Sequence, residues 1–165
     1  MYRIRRRKTL NQNVIQMELE APFISKRAKA GQFLILRVDE EGERVPLTIA
    51  DYDREAGTVT IIFQVMGSST MALGALQEGD SIHDVVGPLG KASEVEGFSK
   101  VAVIGGGVGC AIAYPIAKAL HENGTVVHSI IGFRNRELVI LEDEFRSKSD
   151  KLVLLTDDGS YGEKG

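Results

Sequence analysis

Apolar and polar residues alternate in short runs through the first half of the chain, each run bounded by Gly, Pro, Asp or Glu. A two-residue period of this kind marks strands with one face buried. It predicts strands at Tyr2–Leu10, Val14–Glu20, Phe33–Val38, Val45–Ala50, Thr58–Val65 and Ser81–Val86. Six strands at this spacing, joined by turn residues, suit a sandwich or a small closed barrel. One short helix is expected around Thr70–Leu76, after Gly67-Ser68-Ser69, and Gly87-Pro88-Leu89-Gly90 with the polar stretch to Ser99 reads as a joint.

Beyond the joint the period changes. Val101–Ile104 is an uninterrupted apolar run, as expected of a strand buried on both faces of a parallel sheet. A helix follows to about Glu122 and ends on Asn123-Gly124, a good C-terminal cap. Thr125–Ile131 reads as the next strand, Glu137–Phe145 as a helix and Lys151–Leu155 as a third strand. The expected fold is therefore a six-stranded antiparallel barrel over residues 1–95, then a partial doubly wound parallel α/β domain over residues 98–165. An open nucleotide-binding sheet has five or six strands, so the sequence reads as a fragment of a longer protein, the alternative being a minimal form completed by a partner chain.

Composition narrows the class. With 43% apolar and 26% charged residues in 165, this is an ordinary globular composition without a bilayer-length apolar stretch, and a cytoplasmic location is expected. The basic run Arg3, Arg5, Arg6, Arg7 and Lys8 alternates with Tyr2 and Ile4 as in a charged edge strand, and a net charge of −3 is no footprint for nucleic acid. Cys110 is the only cysteine, so the chain offers no ligand set for an iron–sulfur or zinc site. His83, His121 and His128 are scattered, and no His/Asp or paired-carboxylate constellation for acid–base chemistry is present.

The strongest chemical signal is Gly105-Gly106-Gly107-Val108-Gly109, between an apolar strand and a helix. Glycines let backbone approach a ligand closely, and the helix start offers free N–H groups to a pyrophosphate. A tight turn with no ligand is the competing reading. Cys110 occupies the last glycine position of the dinucleotide fingerprint and is expected to pack beneath the loop. No acidic residue for a ribose follows the second strand; Arg134 and Arg136 stand there, suited to a 2′-phosphate or to the adenine. Asp157 and Asp158 follow the third strand, either as turn residues or near the nicotinamide. In the first half, Gly67-Ser68-Ser69-Thr70 converges hydroxyls and N–H groups at a helix start, as an ordinary cap or a second anion site.

Six segments occur in the order of the ferredoxin–NADP reductase superfamily: Gly31-Gln32-Phe33, Arg44-Val45-Pro46-Leu47-Thr48-Ile49, Gly67–Thr70, Gly87–Gly90, Gly105–Gly109 and Gly132-Phe133-Arg134. Over essentially its whole length the chain resembles the small FAD- and NAD-binding subunits of NADH-dependent ferredoxin:NADP oxidoreductase (sulfide dehydrogenase), a branch near the electron-transfer subunit of dihydroorotate dehydrogenase. The resemblance implies FAD on the barrel, with Thr48 beside flavin N5, and with Pro46, Leu47, Gln64, Val65 and Met66 along it. It places Gly67, Ser68, Ser69 and Thr70 on the flavin pyrophosphate. Arg44, the candidate phosphate contact, stands one residue before the arginine of the general pattern, where Val45 is found. NAD(H) or NADP(H) falls on Gly105–Gly109, with Arg134 at its adenosine end. The resemblance further implies hydride exchange between nicotinamide and flavin, then single-electron transfer through a [2Fe–2S] cluster, whose ligands lie outside this chain, to a larger flavoprotein or iron–sulfur partner or to ferredoxin. The alternative is a non-catalytic cofactor-binding or docking module.

Overall fold

The computed structural model describes every residue from Met1 to Gly165, and the chain divides into two compact units, Met1–Ala92 and Ser93–Gly165. The first contains β1 (Tyr2–Asn11), β2 (Val14–Glu20), α1 (Pro22–Arg27), β3 (Phe33–Arg37), β4 (Val45–Thr48), β5 (Asp51–Asp53), β6 (Thr58–Gln64), α2 (Ser68–Gly74), β7 (Ser81–Ile82) and β8 (Asp84–Leu89). The strands form two antiparallel sheets, ordered β5-β6-β2-β1-β7 and β4-β3-β8. Alternate residues of each strand turn inward, as the two-residue period requires, so Ile4, Met17, Leu19, Leu34, Leu36, Val59, Ile61, Phe63 and Ile82 make one buried core.

The antiparallel architecture agrees with the sequence, whereas the strand count does not. Asp51–Asp53 is an additional strand, and the run expected over Ser81–Val86 is divided at His83 into two. Gly87-Pro88-Leu89 is no joint: it continues β8 through a cis Gly87–Pro88 bond, and Leu89 pairs with Phe33 across a register shift. Proline lacks the N–H of a ladder, and β8 tolerates it because it lies at the edge of its sheet. β1 is not an edge strand at its start, since Tyr2 and Arg3 pair with β7 while the rest of β1 pairs with β2. Arg5 and Arg6 form ion pairs with Glu20 and Glu18 on β2. The short α1 escaped the periodicity because it spans only six residues, with Pro22 at its first position.

The second unit contains β9 (Lys100–Gly106), α3 (Cys110–Glu122), β10 (Val126–Phe133), α4 (Glu142–Ser147), β11 (Lys151–Thr156) and β12 (Glu163–Lys164). These four strands run parallel in the order β12-β11-β10-β9. Gly124, with φ +83°, terminates α3 as expected. The helix expected over Glu137–Phe145 is broken. A 3₁₀ turn at Arg136–Leu138 comes first, Leu141 then adopts φ +62°, and α4 begins only at Glu142. Three acidic residues, Glu142, Asp143 and Glu144, occupy its first turn, where the helix dipole favours them.

One expectation fails in an informative way. β9 is not buried on both faces: Val103 is buried, but Ala102 is exposed and Ile104 is 72% exposed. Successive strands are added in one direction, so right-handed crossovers place α3 and α4 on the same side of the sheet. That side buries Val127, Ser129, Ile131 and Phe133, with Tyr114 of α3 and Phe145 of α4 meeting edge to face at 5.5 Å. The opposite face, with Ala102, Ile104 and Val126, carries no helix. No helix in either unit is long and apolar enough to cross a membrane.

Candidate functional sites

In the first unit the site is built by the register of the three-stranded sheet. Phe33 pairs with Thr48 and Leu89, and Ile35 pairs with Pro46 and Val86. Leu34, Leu36 and Val85 are buried, and Val45 and Leu47 pack against the same core. The outer face therefore presents Phe33, Ile35, Pro46, Thr48 and Val86, with Val86 57% exposed. This is an apolar platform with one hydroxyl, the kind of surface a flat aromatic ligand covers. Of the sequence candidates on β4, Pro46 and Thr48 belong to the platform, while Leu47 turns into the barrel.

The same parity accounts for the displaced arginine. A side chain at position 45 points into the core, as Val45 does. One residue earlier, at the approach to β4, Arg44 is exposed, and its charge adds to the Arg37 hydrogen bond that holds the Asp84 carboxyl below the usual range. The apolar platform thus has a cationic end. At that end Ser69 Oγ donates to Glu43 Oε2 at 2.9 Å, which joins the Gly67–Thr70 turn to the start of β4.

In that turn Thr70 Oγ1 accepts from the N–H groups of Met66 and Gly67, at 2.8 and 3.1 Å. Its hydroxyl therefore shapes the turn. Gly67 has open space where a side chain would stand, and Ser68 and Met66 are exposed, Met66 by 78%. Gln64 and Val65 are half-buried at the end of β6, and Val65 N donates to Asn13 O. A turn with an open glycine beside an outward arginine fits an anionic group, and the platform fits an isoalloxazine. The sequence reading missed Phe33, Ile35, Val86 and Asp84. The alternation within Phe33–Arg37 carried the signal for the first two.

In the second unit the glycines divide by role. A Cβ on Gly105 would meet Cys110 Sγ at 3.1 Å and Ala113 Cβ at 3.4 Å, so this glycine permits close packing of strand against helix. Gly107 and Gly109 face open space, Gly107 with φ +53°, in a 3₁₀ turn that runs into α3, and a Cβ on Gly106, the last residue of β9, would meet only Gly132 O, at 4.0 Å. They leave room for a ligand against backbone N–H groups at the start of a thirteen-residue helix. Val108 is half-buried in this turn, and Cys110 is buried beneath it, its thiol pushed up to about 12 by desolvation.

Gly106 pairs with Gly132 of β10, so the glycine turn adjoins the end of β10, where Arg134 is exposed. The loops after β10 and β11 are joined there: Asp157 N donates to Phe133 O at 3.0 Å and Arg136 N to Ser160 Oγ at 2.9 Å. Asp157 therefore lies two strands from β9. Asp158 is held in its own turn by Ser160, whose hydroxyl and N–H keep the carboxyl below its ordinary range. Arg136 lies over the ring of Tyr161, whose hydroxyl donates to Glu142 Oε1 at 2.8 Å.

An antiparallel barrel followed by a parallel strand–glycine turn–helix unit defines the class, and comparison with known proteins agrees. No protein-family model matches the chain. The structure of an NADH-dependent reduced ferredoxin-NADP oxidoreductase superposes with a TM-score of 0.93 at 42% identity, over 100% of this chain and 59% of that one. Over its whole length the chain is thus similar in sequence and fold to ferredoxin reductase-like proteins. Among curated relatives, the dihydroorotate dehydrogenase B (NAD(+)) electron transfer subunit homolog of Thermotoga maritima is 46% identical over 154 residues, covering 93% of this chain and 54% of the relative. An uncharacterized Clostridium beijerinckii protein from the adh 3′ region is 48% identical over 172 residues, covering 100% of this chain and 58% of the relative. The chain thus spans somewhat more than half the length of these relatives.

Proposed function

We propose that the chain is the flavin- and pyridine-nucleotide-binding part of an electron-transfer oxidoreductase subunit, with FAD on the barrel's outer sheet and NAD(H) or NADP(H) on the glycine turn. The observation that carries this reading is the register that lines up Pro46 and Thr48 on one outer face, with the exposed Arg44 just before β4 and the Gly67–Thr70 turn joined to Glu43 beside it. When bound, the two cofactors supply hydride exchange between nicotinamide C4 and flavin N5. The chain's own residues bind and orient. Thr48 would offer its hydroxyl to the reacting edge of the flavin, while Pro46, Ile35 and Val86 would exclude water from the face it covers. Arg44 and the N–H groups of Ser68, Ser69 and Thr70 at the start of α2 would hold the flavin pyrophosphate, the Gly67 N–H being held by Thr70 Oγ1. Gly106, Gly107 and Gly109 admit the nicotinamide dinucleotide's pyrophosphate, and Arg134 takes its adenosine end. A [2Fe–2S] centre held by ligands outside these residues would supply the single-electron exit to a larger flavoprotein partner or to ferredoxin, and a cytoplasmic location goes with this reading.

The test is the visible spectrum of the purified chain reconstituted with FAD. A flavin band that bleaches anaerobically with NADH or NADPH is expected, and titration with each nucleotide reports the preference. A protein that gains no flavin band overturns the reading. A band that no pyridine nucleotide bleaches leaves a flavin-binding module in place of a reductase.

A further inference from the structure

Three charged side chains lie together where the flavin platform meets its cationic end, and only Arg44 figures in the site as read from sequence. Arg37 closes β3 opposite Asp84 of β8. Its Nη2 donates to Asp84 Oδ2 at 2.6 Å and its Nη1 to the carbonyl of Glu40 at 3.0 Å. The Arg37 side chain is largely buried, so the pair keeps a defined geometry. Asp84 is also drawn electrostatically by Arg44 and His83, yet its hydrogen bond goes to Arg37. Three cationic or potentially cationic groups thus surround this one carboxylate, and the strand register decides which one holds it.

We propose that Arg37 is a positioning residue that sequesters Asp84, and so leaves the Arg44 guanidinium unpaired to receive the flavin pyrophosphate. This rests on the flavin reading above. A carboxylate beside an anion-binding arginine competes with the ligand for it, because a charge-assisted pair within the protein must be broken before the phosphate binds. With Arg37 in place, Asp84 is occupied on β8. Without it, Asp84 turns to Arg44, which lies one residue beyond the Leu36–Val45 pair and so alongside Arg37, within electrostatic reach of Asp84. The carbonyl of Glu40, held by the same guanidinium, fixes the turn that leads to Arg44.

The experiment measures the affinity of the whole chain for FAD and for riboflavin, which carries no phosphate. Arg44→Gln is expected to weaken FAD by about tenfold or more while sparing riboflavin. Arg37→Gln is expected to reproduce that selective loss, and the double variant Arg37→Gln/Asp84→Asn to recover FAD binding to within about threefold of the starting protein. A merely structural role for Arg37 weakens both flavins together and is not repaired by Asp84→Asn, so that result overturns the inference. So does an Arg44→Gln protein with an undiminished preference for FAD, which leaves the flavin reading standing. If the unaltered chain binds neither FAD nor riboflavin, the flavin reading itself fails and this inference falls with it.

Discussion

Cys110 lies beneath the glycine turn with no exposed surface, and desolvation pushes its thiol up to about 12. The thiolate is the reactive form, so the folded protein is expected to resist a disulfide reagent from neutral pH to about pH 9 and to react with one equivalent in denaturant. A thiol count in the two states checks this. Thr48 gives a second test at the same scale. Thr48→Val is expected to keep the flavin band but slow its bleaching by NADH or NADPH about ten- to hundredfold, whereas Thr48→Ser retains the hydroxyl and most of the rate. Stopped-flow absorbance separates the two. Cys110 as a packing residue was legible in the sequence because it replaces a glycine between a strand and a helix. Arg37 was not, because its partner Asp84 lies 47 residues away and only the strand register brings the two together.

At the scale of elements, the glycine turn contains residues of two kinds. Gly105→Ala is expected to cost about 1–3 kcal/mol of stability, since its Cβ meets Cys110 and Ala113. Gly106→Ala is expected to fold normally and to lose affinity for the pyridine nucleotide; thermal unfolding and nucleotide titration distinguish the pair. The turn before β12 is more demanding. Gly162 has φ +63°, and a Cβ there would run into the carbonyl oxygen of Leu154. Strands and glycine motifs could be read from the sequence because their signals are local. The division of Ser81–Val86 could not, since it answers to strands distant in sequence, whereas the break at Leu141 had a local signal in the acidic run Glu142–Glu144 that apolar periodicity overlooks. β8 follows the β3 register through a cis proline, and α4 starts where its acidic turn meets the helix dipole.

For the molecule as a whole, the uneven covering of the parallel sheet has a direct consequence. Val103→Ser, on the helix-covered side, is expected to destabilise by about 2 kcal/mol or more, whereas Ile104→Ser, one residue on, is expected to change stability by less than about 0.5 kcal/mol. Urea unfolding of the two variants checks the contrast. The run Val101–Ile104 alone predicts equal burial for both, because an apolar sequence records what a position tolerates and not which neighbours cover it. The class of fold was legible from the change in period near residue 98 and from the order of the six motifs.

The order of strands also bears on how the chain acquires its structure. In the second unit, spatial order follows chain order, β9 to β12, so each strand can dock on the one made just before it as the polypeptide leaves the ribosome. The first unit cannot assemble in this way. Tyr2 must wait for Ile82, and Phe33 for Leu89, so its closure is held until nearly all of the unit has been synthesised. Until then β1 and β3 each keep an edge unpaired, and chaperones are expected to engage the nascent chain through those edges.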